Sequence, residues 1–370
     1  MDATLLKLGM FWRDPVPYAA GNFPGDVSDF PELRGHVIFE TSGSSGTPKW
    51  IAISKEALLI SAETVNEHLA VTHSSCWGLA LPPHHVGGFG VAARAFAAGC
   101  KFEHFNQRWG ARAFGAWNGE SNITHLSLVP TQVHDLVTAG ITAPASLVAV
   151  VVGGGRLDAA TGQAARVLGW PILASYGMTE TSSQIATQSL NSLAADFQPT
   201  PLKLLPIWQA ESSQGLLRIR GAALFSGTLI NDQGAWRYRP RVDEWHQTND
   251  LAKIENDFLT PLGRADSRVK ILGELVDLET IERELSDLSE NKLAPGSFVI
   301  VAVPDDRAEN LLVPVFDSTV DQEIIDQVMA AYAAQSPGFR RLKPPVVLAK
   351  FPLSQLGKPQ RAEISAAIRR

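Results

Sequence analysis

The chain has 370 residues, of which 45% are hydrophobic, and a formal net charge of −6. At roughly 150 residues per domain, this length predicts about two globular domains with substantial cores. The negative charge and the scattered Lys and Arg residues exclude a basic surface for nucleic acid, and no apolar stretch reaches the roughly 18 residues that cross a membrane.

The two cysteines, Cys76 and Cys100, are too few for a disulfide framework and lack metal-ligand spacing, which is typical of a reducing compartment. The N-terminal sequence MDATLLKLGMFWRDP lacks the basic region, long apolar run and cleavage site of a signal peptide. We therefore expect a cytoplasmic protein.

From residue 36 onward, short apolar runs alternate with helical patterns, as in a layered α/β domain. The strand HVIFE (36–40) precedes a loop of glycine and hydroxyl residues, and Ser54 can then cap a helix that ends near His68. The next predicted elements are a strand at 76–81, an apolar helix at 88–98, a strand at 125–129 and a helix that Thr131 can cap.

Two further strands end in unusual turns. The run SLVAVVV (146–152) is so apolar that it should be central in a sheet, and it ends in Gly153, Gly154 and Gly155. After a helix from about 158 to 168, PILAS (171–175) is followed by YGMTETSSQ. Because ligands bind beyond the carboxyl ends of strands in open α/β sheets, these turns and the first loop predict a ligand site.

The pattern changes after about residue 205 to short alternating runs, which predict a β-rich subdomain. The polar segment GRADSR (263–268) marks the predicted boundary between a domain of residues 1–263 and a small α+β domain of residues 264–370. In that small domain, Asp277 can cap the helix LETIERELSDL, two apolar runs predict strands, and VDQEIIDQVMAAYAA predicts a helix.

The first loop suits anionic oxygens, because its glycines free backbone amides, its hydroxyls can donate and its lysine adds a cation. The residues concerned are Thr41, Ser42, Gly43, Ser44, Ser45, Gly46, Thr47 and Lys49. The Walker spacing fails, because Thr47 and Pro48 separate the last glycine from the lysine. A loop of this composition is also common as a mobile surface turn.

Three later motifs accompany this loop. In YGMTETSSQ, Tyr176 can stack on a base and Glu180 can bind a hard cation such as Mg²⁺. Asp250 and Arg264 are spaced as a ribose-hydroxyl acceptor and a nearby cation, and Lys358 lies in LGKPQR. Taken singly, these motifs also fit an ordinary loop, a turn-forming Asp, a solvated Arg and a surface Lys.

Together and in this order, TSGSSGTPK, YGMTET, the Asp followed by GRxD, and the final GK resemble the adenylate-forming acyl- and aryl-CoA synthetases over about residues 36–361. The resemblance implies an α/β fold with a large layered N-terminal α/β domain, which includes a β-rich subdomain, and a small mobile α+β C-terminal domain. It also implies an enzyme that uses ATP and Mg²⁺ to form an acyl-adenylate from a carboxylic acid, and coenzyme A to form a thioester.

The resemblance assigns roles by position. The first loop would bind the β- and γ-phosphates of ATP, Thr179 the α-phosphate, and Glu180 the magnesium ion. Residues on both sides of the adenine would be Gly153, Gly154, Gly155, Tyr176 and Gly177. Asp250 would accept the ribose hydroxyls, with Arg264 beside the sugar.

Three positions in the small domain also receive roles. Lys358 would meet the substrate carboxylate and the α-phosphate during adenylation, Asp266 matches the hinge, and Gly273 would border the tunnel for the coenzyme A thiol. The family usually has two glycines at this last position. This chain departs from that pattern, because Leu272 precedes Gly273.

The segment LPPHHVGGFGVAARAFAAG (81–99) should supply the acyl pocket, with His85 closing over the carboxylate and Gly88 and Ser183 in contact with the acid. Arg94 is the only charge between residues 86 and 99. A helix this apolar predicts burial, and a buried guanidinium needs an anionic partner. The alternatives are a structural salt bridge and an arginine that extends to solvent at the helix edge.

An arginine nine residues after the histidine of HVxG, together with YGMTETSSQ, resembles the o-succinylbenzoate:CoA ligases within this family, although Gly87 replaces a serine of some relatives. In those ligases this arginine position faces the distal carboxylate of the substrate. Only 40 residues precede the first loop, far fewer than in typical relatives, so we expect exposed sheet edges that a homodimer could cover. Two alternatives stay open: another aryl- or acyl-CoA ligase, and a truncated adenylate-binding protein without turnover.

Overall fold

The computed structural model describes residues 3–7, 9–41, 49–290, 292–305, 307–354 and 357–369. The described residues divide into two compact units. The first unit contains residues up to 248 together with 253–261, and the second contains residues 249–252 together with those from 262 onward. The loop residues from Ser42 to Thr47, for which we expect phosphate binding, lie outside the described residues.

The helices of the first unit, in chain order, are α1 (Ala3–Leu6), α2 (Gly9–Arg13), α3 (Lys55–His68), α4 (Val86–Ala98), α5 (Ala111–Glu120), α6 (Pro130–Thr138) and α7 (Ala159–Val167). Its strands are β1 (Tyr18–Ala19), β2 (His36–Thr41), β3 (Lys49–Ser54), β4 (Cys76–Leu79), β5 (Lys101–His104), β6 (His125–Leu128), β7 (Ala149–Val152), β8 (Ile172–Met178), β9 (Ser183–Thr187), β10 (Leu202–Leu204), β11 (Trp208–Ser213), β12 (Leu216–Gly221), β13 (Gly227–Asp232), β14 (Ala235–Pro240), β15 (His246–Glu255) and β16 (Phe258–Arg264). The last two strands also contribute residues to the second unit.

These strands form two sheets, with the orders β1-β2-β3-β13-β14 and β11-β12-β15-β16-β10-β9-β8-β7-β6-β4-β5. In the larger sheet, β5, β4, β6, β7 and β8 pair in parallel. All residues of β4, β6 and β7 are buried, as expected for strands that are covered on both faces. The chain runs from β4 to β5 on one side and returns to β6 on the other, so a topological switch point lies between β4 and β6.

Local signals explain most element starts in this unit. Ser54 caps α3 as predicted, accepting a hydrogen bond from the Ala57 amide at 3.0 Å, and Asp158 caps α7 in the same way, accepting from the Thr161 amide at 2.7 Å. The predicted cap at Thr131 is wrong, because α6 begins at Pro130. The fixed φ of proline suits the first helical position, and its missing N–H needs no partner there.

Strand β8 is longer than PILAS and continues through Met178. It pairs antiparallel with β9, a strand that the sequence did not predict because TSSQ has the composition of a loop. The hairpin places Gly177 opposite Gln184 and Met178 opposite Ser183. Part of the polar motif therefore lies on rigid strands.

The second unit contains β17 (Arg268–Ile271), β18 (Glu274–Asp277), α8 (Leu278–Leu288), β19 (Phe298–Asp305), β20 (Glu309–Asp317), α9 (Gln322–Gln335), β21 (Val346–Leu348) and α10 (Arg361–Ile368). Asp277 caps α8 as predicted, accepting from the Glu279 amide at 3.0 Å. Alternation along β19 separates two cores, because Ile300 packs with α8 and α9 whereas Val299 and Val301 pack with α10. Across the described ranges, no helix is both long enough and apolar enough to span a membrane.

His125 in β6 should make the stability of the first unit depend on pH. The side chain is buried, Nε2 donates to the Leu69 carbonyl at 3.1 Å, and Nδ1 lies 2.8 Å from Thr124 Oγ1. Burial lowers the pKa of His125, against a smaller opposite effect of the Leu69 carbonyl. The unfolded chain therefore binds a proton first as the pH falls, so stability decreases below about pH 6.5 until the folded-state pKa is reached.

Urea unfolding of wild type and His125→Gln between about pH 8 and pH 5 measures this effect. The wild-type protein should lose more stability than the variant over this range. Equal losses would show that other groups cause the pH dependence.

Candidate active site

The expected adenine residues lie at the ends of two neighbouring parallel strands. Gly153 follows β7 directly, and Tyr176 lies near the end of β8, where it is half-buried. Ser175 joins the strand ends, because its Oγ donates to the Val152 carbonyl at 3.0 Å. The structure therefore brings the triple glycine 153–155 and the YGMTE motif to one edge of the sheet.

Thr179 and Glu180 lie in a 3₁₀ turn that is tied to the base of the first loop. The Glu180 carbonyl accepts from the Phe225 amide at 2.8 Å, and the next amide, of Ser226, donates to Ala52 of β3 at 2.8 Å. Strands β2 and β3 form a hairpin that ends at Thr41 opposite Lys49, at the two ends of the first loop. Two adjacent backbone amides thus connect the YGMTE turn to the strand that follows the loop.

Arg94 lies in α4 with only 2% of its surface exposed. Its guanidinium donates to Ser127 Oγ at 3.0 Å and to Ser183 Oγ at 3.1 Å, and its Cζ lies 5.2 Å from the centre of the Trp77 ring. Ser127 belongs to β6, so this cluster lies at the switch point. Ser127 is not among the residues predicted from the sequence, although it is the single hydroxyl in the apolar run HLSLV.

The surroundings of Arg94 contradict both structural alternatives. The side chain does not reach solvent, and no carboxylate in the described ranges forms an ion pair with it. Burial lowers the pKa of Arg94 to about 10, so the group is still charged at neutral pH. A buried charge with only neutral hydroxyl partners is costly, and an anionic ligand would relieve that cost.

The other two pocket candidates lie at the start of the same helix. His85 is the N-cap residue of α4, its ring is half-buried, and it lies 4.6 Å from the ring of His84. Gly88 is buried, and a Cβ at this position would collide with the Pro82 carbonyl. Close packing therefore explains the glycine at 88.

In the second unit, Arg264 binds Asp250, which was expected near it, and also Asp266. Its Nε and Nη2 donate to both oxygens of Asp266 at 2.8 and 2.9 Å, and its Nη1 donates to Asp250 at 2.9 Å. The hydrogen bonds to Asp266 raise the pKa of Arg264, and the charge of Asp250 adds to this effect against desolvation. The guanidinium is a fixed, permanently charged neighbour of Asp250.

Lys358 lies in a turn of the second unit. Its amide donates to Ser354 Oγ at 3.1 Å, and its carbonyl accepts from the Ser354 amide at 2.8 Å. The residue is exposed by surface area, yet protein atoms around the ammonium group desolvate it, and this lowers the pKa of Lys358. Arg264 lowers it further, whereas Asp250 and Glu279 raise it, so these charges act on one another.

Leu272, which stands where the family usually has a glycine, has an unusual backbone conformation. Leu272 has φ = 51° and Gly273 has φ = 83°, so both positions adopt the left-handed conformation that favours glycine. Leu272 is 59% exposed, and the Gly273 amide donates to Glu309 at 2.8 Å. The backbone thus keeps a glycine-type turn at the cost of strain at the leucine.

Comparison with known proteins agrees with these observations. The model of the family "AMP-binding enzyme" matches residues 36–222, which is half of the chain. A 2-succinylbenzoate–CoA ligase of Enterococcus faecalis is 26% identical in an alignment that covers 87% of this chain and 67% of that protein. A 2-succinylbenzoate–CoA ligase of Escherichia coli is 30% identical over 66% of the chain, and 51% of that protein is covered.

The fold is shared with a solved structure of o-succinylbenzoate coenzyme A synthetase from Bacillus subtilis in complex with ATP and magnesium. The TM-score is 0.73 at 21% identity, and the alignment covers 88% of this chain and 69% of that one. The chain thus spans between about half and two thirds of the length of these relatives. The predicted α/β fold class and the resemblance read from the motifs are both confirmed, and the chain belongs to the AMP-binding enzyme family.

Proposed function

We propose that this protein is an ATP- and Mg²⁺-dependent acid:CoA ligase that converts o-succinylbenzoate to its CoA thioester through an acyl-adenylate. The observation that supports this substrate most strongly is the buried, charged Arg94. Its partners in the described structure are two hydroxyls and an aromatic ring. A second carboxylate on the acid is the complementary group. The names of the relatives support the same substrate.

The predicted residue roles form part of this proposal. The loop Thr41 to Lys49 binds the outer phosphates, the triple glycine and Tyr176 bind adenine, and Thr179 contacts the α-phosphate. Asp250 accepts the ribose hydroxyls and is oriented by Arg264, at 2.9 Å. The domains are proposed to be residues 1–263 and 264–370, with Asp266 at the hinge.

In the first step, an oxygen of the substrate carboxylate forms a bond to the α-phosphorus of ATP while the bond to pyrophosphate breaks. Both reactants are anionic, so the step requires neutralisation of charge and alignment. We assign to His85, at the start of α4, the closing over this carboxylate, and to Lys358 the charge stabilisation around it. In the second step, the thiol sulfur of coenzyme A attacks the acyl carbon and AMP leaves.

The residues present are compatible with a magnesium ion that is bound mainly by the phosphates of the substrate. Mg²⁺ is commonly bound through one or two carboxylates together with phosphates and water. Glu180 supplies one half-buried carboxylate in the YGMTE turn, and in the described ranges no group of three or more His, Cys, Asp or Glu residues could hold a metal ion alone. When bound with ATP, the ion would offset the charge of the phosphates.

A protein that only binds adenylates is the alternative from another class. Such a protein has no need for a lysine held in a bonded turn, yet Lys358 has both backbone groups bound to Ser354. Lys49 and Glu180 are also present. These residues favour turnover.

Exchange of labelled pyrophosphate into ATP, measured with a panel of acids, tests the proposed function. We expect exchange with o-succinylbenzoate to exceed exchange with benzoate or a fatty acid by about 10²-fold, which corresponds to about 3 kcal/mol from one buried charge contact. A strong response to benzoate or a fatty acid without one to o-succinylbenzoate would identify a different acid ligase. Absence of exchange with every acid would contradict the ligase itself.

A further inference from the structure

The turn that carries Lys358 is closed by several backbone contacts. Leu353 and Pro359 form an antiparallel bridge, and the Gln360 amide donates to the Pro352 carbonyl at 2.9 Å. With the two contacts between Ser354 and Lys358, these bonds make residues 352–354 and 357–360 one local element. These bonds fix the internal geometry of the element. Its position therefore depends on the contacts that it makes with the rest of the second unit.

One such contact is an ion pair three residues after Lys358. Arg361, the first residue of α10, donates through Nη2 to Glu282 Oε1 of α8 at 2.6 Å. The same carboxylate oxygen accepts from the Ile300 amide at 2.8 Å. Ile300 belongs to β19, the edge strand of the order β19-β20-β21, so one oxygen joins α8, a sheet edge and α10, the helix that directly follows the Lys358 turn.

The turn is also restrained by close packing at Gly357. Gly357 precedes Lys358, and its carbonyl oxygen lies so close to Gly296 that a Cβ at 296 would collide with it. The turn therefore has a steric contact at residue 357, and the residue that follows it, Arg361, makes a charged contact. Lys358 lies between these two contacts in the sequence.

Few groups hold the Arg361 guanidinium in place. The Arg361 and Glu282 side chains are 32% and 20% exposed, so solvent screens the pair only in part. Arg361 Nε is buried and has no hydrogen-bond partner in the described part of the chain. Burial raises the pKa of Glu282, and Arg361 is the largest influence that lowers it again. Among the described residues, Glu282 is the carboxylate that hydrogen-bonds the guanidinium and so orients it.

We propose that the Glu282–Arg361 pair is a positioning device for Lys358, so that both residues promote adenylation without touching the reacting atoms. The inference rests on the proposed role of Lys358 and extends it to two residues that carry no motif-based role. A catalytic cation displaced by about 1 Å can cost about 10²-fold in rate, so a small shift of this turn is sufficient for a large effect.

The test compares Arg361→Met with Arg340→Met. Arg340 is a matched control, because it pairs with Glu284 of the same helix at the same 2.6 Å distance. We expect Arg361→Met to lower the maximal rate of pyrophosphate exchange by about 10- to 100-fold with an unchanged KM for the acid, and Arg361→Lys to restore part of the rate. Thioester formation from supplied acyl-adenylate should stay within about 2-fold of wild type, as should both steps in Arg340→Met.

A second measurement follows Lys358 itself. Amine labelling across a pH series, with mass spectrometry of the peptide, gives the titration midpoint of this lysine. Wild type should titrate below the ordinary value of about 10.4, and Arg361→Met should move the midpoint towards that value, because the turn leaves Arg264 and its desolvating surroundings.

Equal losses of rate in both half-reactions would show that the pair contributes only to general stability and would overturn the proposal. A wild-type rate of pyrophosphate exchange in Arg361→Met would overturn it as well. If the wild-type protein shows no pyrophosphate exchange with any of the acids, the proposed function fails. The labelling result alone then decides the positioning role. An unchanged Lys358 midpoint in Arg361→Met would then refute it.

Discussion

Replacing Lys358 with alanine is expected to slow acyl-adenylate formation about 10²- to 10³-fold, the effect of removing one preorganised charge contact from a transition state. In the proposed mechanism, the lysine stabilises charge only while the carboxylate attacks the α-phosphate. Thioester formation from supplied acyl-adenylate should therefore stay near the wild-type rate. Mass spectrometry of acyl-AMP, together with pyrophosphate exchange, measures the first step, and release of AMP after addition of coenzyme A measures the second.

Lys350→Ala is the matched control, since this exposed lysine belongs to the same unit. It should leave both steps unchanged. Acyl-AMP formed at wild-type rates by Lys358→Ala would remove the lysine from the mechanism. Loss of acyl-AMP would at the same time exclude a protein that only binds adenylates.

Replacing Arg94 with alanine should abolish most of the preference for o-succinylbenzoate over benzoate, by about 10²-fold in the ratio of kcat/KM values. The diacid loses the partner of its second carboxylate, whereas benzoate has no such group. The ratio is insensitive to the amount of folded enzyme, because both acids are measured with the same preparation.

Ser127→Ala and Ser183→Ala provide graded controls for this pocket. Each keeps the guanidinium and removes one hydroxyl that orients it at about 3 Å. Each should reduce the ratio by less than Arg94→Ala does, because a charged group then loses one of several contacts. A diacid preference that survives in Arg94→Ala would show that the arginine is structural.

Local chemistry explains what could be predicted from the sequence. The caps at Ser54, Asp158 and Asp277 depend on side chains that bond within two or three residues, so their patterns are readable in one chain. Burial of Arg94 was also predictable, since an otherwise apolar helix surrounds it. The Thr131 error had a local cause too, because proline competes for the start of the same helix.

The partners of the site residues could not be predicted in the same way. Ser127 and Ser183 are 33 and 89 residues from Arg94, and Glu282 is 79 residues from Arg361. Such pairs form only when strands and helices pack, and no periodicity in the sequence records them. The β9 strand was missed because its pairing with β8, rather than its composition, makes it a strand.

The continuity of α4 has a consequence for the range of acids. His85 caps this helix and Arg94 lies nine positions further on, so about 13.5 Å of helical rise separates the two ends of the proposed pocket. Backbone hydrogen bonds, rather than mobile loops, fix that separation. In the proposed function, α4 sets the distance between the groups that bind the two carboxylates of a diacid. Substitutions along it would then change the chemistry accepted at either end without changing the length of the acid that fits.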